Sequence, residues 1–338
     1  MNAPLQPLRE LDGLDLRTFR EEVVPAYQPV VVRGLVADWP AVRAASTEQG
    51  AWDYLAQFDR GRPAEAFVAP PETRGRYFYR DDMRGFNFER RVGPFGDIVR
   101  DIAGLPDSES APAVYIGSVP TAEVLPGFDA AHAMPLLPPP LAIPRIWIGN
   151  RSEVSAHFDL SDNIACVVAG RRRFTLFPPD QVANLYVGPL DHTMAGQPAS
   201  MAPLKSPDPD RFPRFGDALG AALTAELGPG DAIYIPTLWW HHVEALSPFN
   251  ILVNYWWEDP PARAGEAFES MVHAILGIAN LPPERRRAWR AMFNHYVFRE
   301  AGDPVAHLAP EHRGILGPPT PQLRERIRQF LMRSLGRR

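Results

Sequence analysis

The sequence is poor in the features of secreted and membrane-bound proteins. It has one cysteine, Cys166, so no disulfide can form within the chain, and this fits a reducing compartment. No apolar run approaches the roughly 20 residues needed to cross a bilayer, and no signal-like hydrophobic stretch opens the chain. These absences predict a soluble, cytoplasmic protein. Cys166 lies in an apolar segment, where buried packing is expected rather than catalysis.

The sequence also has little lysine and only a small net charge. Lys205 is the single lysine among 35 basic residues, and the net charge is −5. An arginine can therefore stand where a lysine would serve. No basic footprint typical of nucleic-acid-binding proteins is visible, so we expect a protein or small-molecule substrate, with no nucleic acid and no membrane as partner. What is present, 338 residues of which 45% are hydrophobic, suffices for one large domain or a domain with an appendage.

The side chains that could bind a metal or take part in catalysis are concentrated between positions 150 and 256. His157 and Asp159 form one cluster, and the adjacent His241 and His242 belong to a second. In a β-strand, residues i and i+2 point to the same face, so His157 and Asp159 aim at one point. His241 follows His157 by 84 residues, a natural separation if their strands are neighbours in a barrel. Only one of His241 and His242 can face inward from a strand, and the period alone does not say which.

Two imidazoles and one carboxylate select a metal chemistry. On one face of a six-coordinate ion they leave three positions open, which is the arrangement of non-haem Fe(II) oxygenases. A tetrahedral zinc site with three protein ligands and a water is the competing interpretation. A metal hydrolase would also need a nearby carboxylate placed as general base, and none is obvious. Since a His-x-Asp pair is common by chance, the surrounding sequence has to indicate whether this pair binds a metal.

The setting of the pair is rich in strand and turn signals. Residues 164–168 form an apolar run, Gly170 marks a turn, and residues 171–179 form a second run, which together predict a hairpin. Residues 228–231, Gly-Pro-Gly-Asp, form another turn that leads into a strand over 232–235. The second histidine cluster therefore also lies at the end of a strand.

In their order and spacing these motifs resemble the Jumonji C (cupin-like, cupin-8) family of Fe(II)- and 2-oxoglutarate-dependent oxygenases, and within it the asparaginyl hydroxylase branch. The stretches that carry the resemblance are His157-Phe158-Asp159, Leu176-Phe177-Pro178-Pro179-Asp180-Gln181, Gly228-Pro229-Gly230-Asp231, Tyr234-Ile235-Pro236, Trp239-Trp240-His241-His242 and Val253-Asn254-Tyr255-Trp256. The match is strong over about a third of the chain and looser over residues 29–144. It implies a mainly β fold with flanking helices, a double-stranded β-helix (jelly-roll, cupin-like) core, and a hydroxylase that uses Fe(II) and 2-oxoglutarate.

The resemblance also assigns the central roles. It makes His157, Asp159 and His241 the catalytic metal ligands and favours His241 over His242. It places Arg172 at the distal carboxylate of 2-oxoglutarate, where the family pattern has lysine. Guanidinium can hold a carboxylate through two hydrogen bonds, so the exchange is physically tolerable.

Three further positions align with residues that contact the co-substrate in similar enzymes. They are Asn163, Asn254 and, more loosely, Tyr115, and each fits equally a turn or a core hydrogen-bonding role. Val154 occupies the place of a family threonine. With Arg172, this departure leaves open a non-catalytic cupin-like module that binds a metal and an acid without reacting. Hydroxylation of a protein side chain and hydroxylation of a small molecule both remain open.

Periodicity and turn residues predict the remaining elements. Helices are expected over residues 15–26, 47–58 and 93–102, and strands over 29–34, 64–68, 76–80 and 113–118. The Pro-rich stretch 119–144 is expected to be either a solvated linker or a loop over the barrel mouth, and the insertion 186–216 a loop that in the resembling family helps to hold substrate. Residues 77–82 contain a polar-aromatic cluster that is expected at a surface strand edge, with a position beside the substrate entrance as the alternative. Strand alternation places Arg171 and Arg173 opposite Arg172, and Trp240 and Trp256 are expected to be packing residues.

From residue 261 the pattern changes to helical periodicity, over 264–279, 283–299 and 321–335. We therefore divide the chain into a catalytic domain over residues 1–260 and a C-terminal helical region over 261–338. In the resembling hydroxylases such helices make a homodimer. A helical buttress within one monomer is the alternative.

Overall fold

The computed structural model describes residues 5–138, 141–258 and 267–336 of the chain. Internal contacts divide it into two units, Met1–Glu258 and Asp259–Arg338. The first unit is mainly β and the second is helical. Within the described ranges, no helix is both long and apolar enough to cross a membrane.

Strands make up most of the first unit. They are β1 Gln6–Pro7, β2 Arg9–Asp12, β3 Val30–Arg33, β4 Pro63–Ala69, β5 Arg76–Tyr77, β6 Glu89–Pro94, β7 Ala113–Pro120, β8 Ile143–Gly149, β9 Ser152–His157, β10 Asp162–Ala169, β11 Arg172–Phe177, β12 Leu223–Leu227, β13 Ala232–Ile235, β14 Trp240–Ala245 and β15 Asn250–Trp257. Over the described residues they form a six-stranded sheet, ordered β1-β12-β11-β14-β9-β5, and a nine-stranded sheet, ordered β2-β3-β13-β10-β15-β8-β7-β4-β6. This architecture of two large sheets confirms the predicted mainly β fold class and is consistent with a jelly-roll core.

Helices flank the sheets and make up the second unit. They are α1 Leu16–Thr18, α2 Val24–Ala26, α3 Pro40–Ala44, α4 Glu48–Ala56, α5 Phe95–Ala103, α6 Thr121–Val124, α7 Phe128–Ala131, α8 Phe215–Gly220, α9 Ala267–Ile278, α10 Pro283–Tyr296 and α11 Pro321–Leu335, with 3₁₀ turns at Pro71–Thr73, Pro179–Asn184, Pro310–His312 and Gly314–Leu316. A π-helical stretch, Phe19–Val23, joins α1 to α2, so the helix predicted over 15–26 forms with a widened middle. Its cap is Asp15, which accepts hydrogen bonds from the amides of Arg17 and Thr18.

Strand β10 explains why residues 164–168 are apolar without alternation. Ile164, Cys166 and Val168 pack into one core cluster, whereas Ala165 and Val167 pack into another together with side chains of β11. The strand is therefore covered on both faces, as a continuous apolar run requires. Burial of each Val or Ile side chain contributes about 1.5–3 kcal/mol, so this strand anchors the sheet beside the site.

The hairpin predicted across Gly170 does not form. β10 pairs with β13 and β15 in the nine-stranded sheet, whereas β11 pairs with β12 and β14 in the six-stranded sheet. Gly170 has a φ of 72°, and a Cβ there would lie 2.5 Å from the Phe249 carbonyl oxygen. The predicted turn exists, but the chain crosses between sheets at this glycine, because turn residues specify a reversal and not a strand partner.

The Pro-rich stretch 119–144 was wrongly predicted as a solvated linker or mouth loop. It contains α6 and α7, and Val124, Leu125, Phe128 and Leu136 are at most 1% exposed. These side chains belong to the largest apolar cluster. The Pro-rich composition suggested an exposed loop, whereas the large apolar residues in the stretch are buried. Residues 139–140 lie outside the described residues.

Two shorter predictions also need correction. Of the strand expected over 76–80, only Arg76–Tyr77 is strand, and Tyr79 makes an isolated bridge to Phe86. Tyr77 and Tyr79 are each 5% exposed, so the surface prediction is wrong for these two residues, whereas Arg80, Asp81 and Asp82 are exposed as expected. The helix expected over 93–102 begins at Phe95, because residues up to Pro94 extend β6. Residues 264–266 of the predicted C-terminal helix lie outside the described ranges.

Candidate metal centre

Pairing of β9 with β14 brings the two histidine clusters together. His157 is the register partner of His241 in this antiparallel pair, as their predicted strand neighbourhood requires. The two imidazole rings have centroids 4.3 Å apart, and His241 Nε2 lies 3.7 Å from Asp159 Oδ2. One ligand atom from each of His157, Asp159 and His241 lies within 4.8 Å of the others, so the group could hold a metal ion.

Backbone carbonyls fix the tautomers of both imidazoles. His157 Nδ1 lies 3.0 Å from the Ser155 oxygen, and His241 Nδ1 lies 3.1 Å from the Trp239 oxygen. A carbonyl can only accept, so each Nδ1 carries its hydrogen and each Nε2 lone pair is available to a metal. Burial, followed by the neighbouring His241, lowers the pKa of His157 to about 4. This imidazole is therefore neutral at pH 7, the form that binds metals.

A relay of side-chain hydrogen bonds orients the carboxylate. Trp256 Nε1 donates to Asp159 Oδ2 at 2.9 Å, and Asn163 Nδ2 donates to the same oxygen at 3.5 Å. Asn254 Nδ2 donates to Asn163 Oδ1 at 3.1 Å, and Trp147 Nε1 donates to Asn254 Oδ1 at 2.6 Å. The structure thus places both predicted co-substrate contacts, Asn163 and Asn254, in the cavity beside Asp159, with their amides bonded to one another.

Sequence reasoning missed Trp256 as part of the site. The sequence predicts a packing residue here, yet Trp256 lines the cavity and donates to Asp159. The available signal was its spacing, because Trp256 follows Asn254 by two positions on the same strand and shares its face. Trp240, by contrast, packs edge-on against Phe158 at 4.9 Å, as a packing residue does.

The adjacent histidine faces the other way. His242 is 2% exposed, and its Nε2 lies 3.2 Å from Glu153 Oε1 rather than near Asp159. Alternation along β11 has the same consequence, because Arg171 and Arg173 pair with Glu226 while Arg172 lines the cavity. The strand period therefore separates cavity residues from paired residues at both positions.

A cavity of about 500 Å³ opens on the three-residue group, and Arg172 lies inside it. Arg172 is 5% exposed, and its Nε has no hydrogen-bond partner among the described residues. Burial lowers the pKa of this guanidinium, and loss of hydration at the half-buried Tyr115 beside it raises the pKa of that phenol. Phe174, Val243 and Leu252 line the cavity with apolar surface. An unpartnered donor on a buried cation fits a carboxylate ligand, as 2-oxoglutarate would supply.

The insertion 186–216 supplies another side of the cavity. Residues 193–197 line it, and contacts with residues 79–90 hold this segment in place. Tyr79 donates its hydroxyl to the His192 oxygen at 2.5 Å, and Arg90 Nη2 donates to the Met194 oxygen at 3.2 Å. The Phe86 ring stacks on His192 at 5.1 Å. A role of this segment in holding substrate stays a prediction.

Comparison with known proteins gives one matching family and two kinds of relative. The profile of the family described as "Cupin-like domain" matches residues 16–263. Mouse tRNA wybutosine-synthesizing protein 5 is 24% identical over 83% of the chain and 91% of its own length, and the chicken protein is 24% identical over 84% and 92%. Human HSPB1-associated protein 1 is 34% identical over 43% of the chain, but the chain spans only 30% of that relative.

Proposed function

The chain belongs to the cupin-like (cupin-8, JmjC-like) domain family, and on that premise we propose that it is an Fe(II)- and 2-oxoglutarate-dependent oxygenase that hydroxylates a protein side chain. One observation carries the proposal. A two-histidine, one-carboxylate group shares a single cavity with a buried arginine whose Nε has no hydrogen-bond partner in the described part of the chain. That combination offers a metal site and, beside it, a receptor for the acid end of a chelating co-substrate.

Each residue of the chain then has a physical task. His157, Asp159 and His241 would hold Fe(II), which supplies the redox chemistry for O₂ when bound. Arg172 would bind the distal carboxylate of 2-oxoglutarate, with the Tyr115 hydroxyl beside it. In the overall reaction one oxygen atom enters a C–H bond of the substrate, the other enters succinate, and CO₂ leaves.

The surroundings of the site orient groups and exclude water. Trp256 and Asn163 hold the Asp159 carboxylate through the hydrogen bonds described above. The apolar side chains of Phe174, Val243 and Leu252 leave few groups that could order water near the cation of Arg172. A low local dielectric strengthens the attraction of that cation for a carboxylate.

The direct test is release of succinate. Full-length protein is incubated with Fe(II), ascorbate and 2-oxoglutarate, and succinate is measured by mass spectrometry. We expect slow Fe(II)-dependent release even without substrate, abolished in Asp159→Ala and retained in His242→Ala, whose imidazole faces away from the cavity. Binding of both Fe(II) and 2-oxoglutarate without any succinate release would instead favour the non-catalytic module.

Charge favours a protein over a polynucleotide as substrate. One relative carries tRNA in its name, which raises RNA as an alternative. Residues 1–258 carry 32 acidic and 22 basic side chains, however, whereas residues 259–338 carry 8 acidic and 13 basic ones. A surplus of ten negative charges on the unit that holds the cavity opposes a polyphosphate.

We also propose that the second unit forms a homodimer. Its helices expose large apolar side chains, among them Leu276 of α9, Trp289 and Met292 of α10, and Phe330 and Met332 of α11. Such surface is characteristic of protein interfaces. Light scattering should give twice the chain mass, and replacement of Leu276 and Phe330 by Gln should halve it. A monomeric wild type would favour the intramolecular buttress.

A further inference from the structure

Aromatic rings form a continuous wall in the first unit, from the outer part of the cavity to the candidate metal ligands. The wall consists of Phe88, Phe67, Tyr77, Tyr115, Trp147 and Trp256, all of which line the cavity. Ring centroids are 5.1 Å apart for Phe88 and Phe67, 6.2 Å for Phe67 and Tyr115, and 5.8 Å for Tyr115 and Trp147. Trp147 meets Trp256 at 5.8 Å, and Trp256 donates to Asp159. Offset and edge-to-face spacings of this kind are attractive for a further ring.

A glycine leaves this wall uncovered. A Cβ at Gly117 would lie 3.1 Å from Tyr115 Cε1, 3.4 Å from Phe67 Cε2 and 3.4 Å from Trp147 Cζ3. Gly117 itself lines the cavity, so a side chain here would crowd Tyr115 and cover part of the Phe67 and Trp147 rings. The glycine keeps these rings accessible to a ligand.

Charge in the cavity selects a neutral ring. Among the described lining residues, Arg172 and Arg90 are the permanent cations, and the Arg90 guanidinium already lies 5.1 Å over the Phe67 ring. An ammonium group would compete with Arg90 for the same ring and be repelled by it. A carboxylate in the outer part would lose its hydration beside apolar rings, while Arg90 is already paired with Glu65 at 3.0 Å.

We propose that the outer part of this cavity binds an uncharged aromatic side chain of a peptide, stacked against Phe88 and Phe67 in front of the metal group. This identification of the substrate class rests on the proposed function. One oxygen atom of O₂ would enter a C–H bond of that aromatic residue as hydroxyl, and the other would enter succinate as 2-oxoglutarate loses CO₂. The excess negative charge of residues 1–258 makes a peptide the expected carrier of the ring rather than a nucleotide.

The test measures binding without turnover. The full chain is titrated by calorimetry under nitrogen, with and without Fe(II) and 2-oxoglutarate. The probes are N-acetyl-phenylalaninamide, its saturated cyclohexylalanine analogue, N-acetyl-lysinamide and guanosine monophosphate. We expect the phenylalanine probe to bind about five-fold more tightly than the cyclohexyl probe, as an aromatic contact beyond area burial implies. The lysine and nucleotide probes should bind more weakly still.

Two matched variants place the ligand on the wall. Phe88→Leu should reduce the preference for the phenylalanine probe over the cyclohexyl probe to nearly one. Phe86→Leu is the control, because Phe86 stacks on Phe88 at 5.3 Å but does not line the cavity. Gly117→Ala should weaken both ring probes by covering the wall. Thermal melting checks that all three variants fold.

The outcomes separate this inference from the proposed function. Equal binding of the two ring probes, tighter binding of the lysine or nucleotide probe, or an equal effect of the two Phe→Leu variants would overturn the aromatic assignment, whatever the succinate result. Selective ring binding that Phe88→Leu removes supports it, even if no succinate is released.

Discussion

The two faces of the six-stranded sheet carry the same residue types in opposite electrostatic states. On the face away from the cavity, here called the paired face, Arg173 pairs with Glu226, and Lys205 lies 2.5 Å from Glu244. On the cavity face, one position along β11, Arg172 is buried and its Nε has no hydrogen-bond partner among the described residues. The difference is one of pairing rather than composition.

This contrast distinguishes charges that stabilise the fold from a charge that destabilises it until an anionic ligand binds. A buried cation without an anion is destabilising, so its presence calls for a partner that comes from outside the chain. On the opposite face Arg173 is paired with Glu226 and Lys205 with Glu244, and these two pairs contribute to the folded state alone. Perturbed, unpartnered groups in a cavity are the usual marks of a functional site.

The largest expected effect comes from the adjacent histidines. His241→Ala should abolish Fe(II) binding and succinate release, because one of three ligands is lost. His242→Ala should leave Fe(II) binding unchanged and lower the free energy of unfolding by about 2 kcal/mol, since it leaves Glu153 with one buried partner fewer. Inductively coupled plasma mass spectrometry measures the metal, and urea denaturation measures stability. Metal loss in His242→Ala alone would reverse our assignment of the two faces.

The next effect concerns the arginines of β11. Arg172→Met should raise the KM for 2-oxoglutarate about 100-fold, equivalent to about 2.7 kcal/mol of charged hydrogen bonds. The same change should raise the free energy of unfolding without ligand by about 1 kcal/mol, because an unpaired buried charge is removed. Arg173→Met is the control and should leave KM unchanged. If Arg172→Met instead destabilised the unliganded protein, the guanidinium would have a structural role that contradicts the comparison.

Periodicity predicted the faces better than it predicted the partners. The two-residue period of strands correctly separated Arg172 from Arg171 and Arg173, because alternation is a local property of the backbone. The hairpin at Gly170 failed, because which strand pairs with β10 depends on β13 and β15, some 60 to 90 residues later in the chain. Topology of this kind follows from packing two sheets, not from a turn.

The site was predictable only where side-chain type and spacing were both distinctive. His157 and Asp159 could be grouped by their strand spacing, and the family resemblance favoured His241 over His242. Trp256 shares a strand face with Asn254, but nothing in its residue type pointed to a carboxylate partner. Tyr77 and Phe128 were misplaced for a related reason. Polar and Pro-rich neighbours suggested surface, but large rings are buried whenever the tertiary fold offers an apolar partner.

Acid should weaken the paired face through Glu153. Burial raises the pKa of this carboxyl, but His242, Lys205 and Arg76 outweigh it and lower the pKa to about 2. The unfolded chain therefore takes up this proton first. The stabilisation is complete above about pH 4.5 and is lost as pH falls toward 2, amounting to about 3 kcal/mol. Urea denaturation at pH 7 and pH 3 should show a steeper loss in wild type than in Glu153→Gln. Equal losses would mean that this carboxylate is not paired.

The smallest expected effect belongs to Lys205, which ties the insertion to the paired face. Its side chain is 65% exposed, so Lys205→Met should lower the free energy of unfolding by less than about 1 kcal/mol. Glu244 would keep Arg173 at 3.4 Å, and Glu153 would keep His242, so neither acid is left alone. Hydrogen exchange of residues 203–208 should nevertheless accelerate, and the KM for 2-oxoglutarate should not change. The difference in stability should vanish in 1 M salt, because exposed pairs are screened. A loss above about 2 kcal/mol that persists in salt would show that Glu244, which is 4% exposed, depends on this lysine alone. The paired face would then also contain a buried charge without compensation.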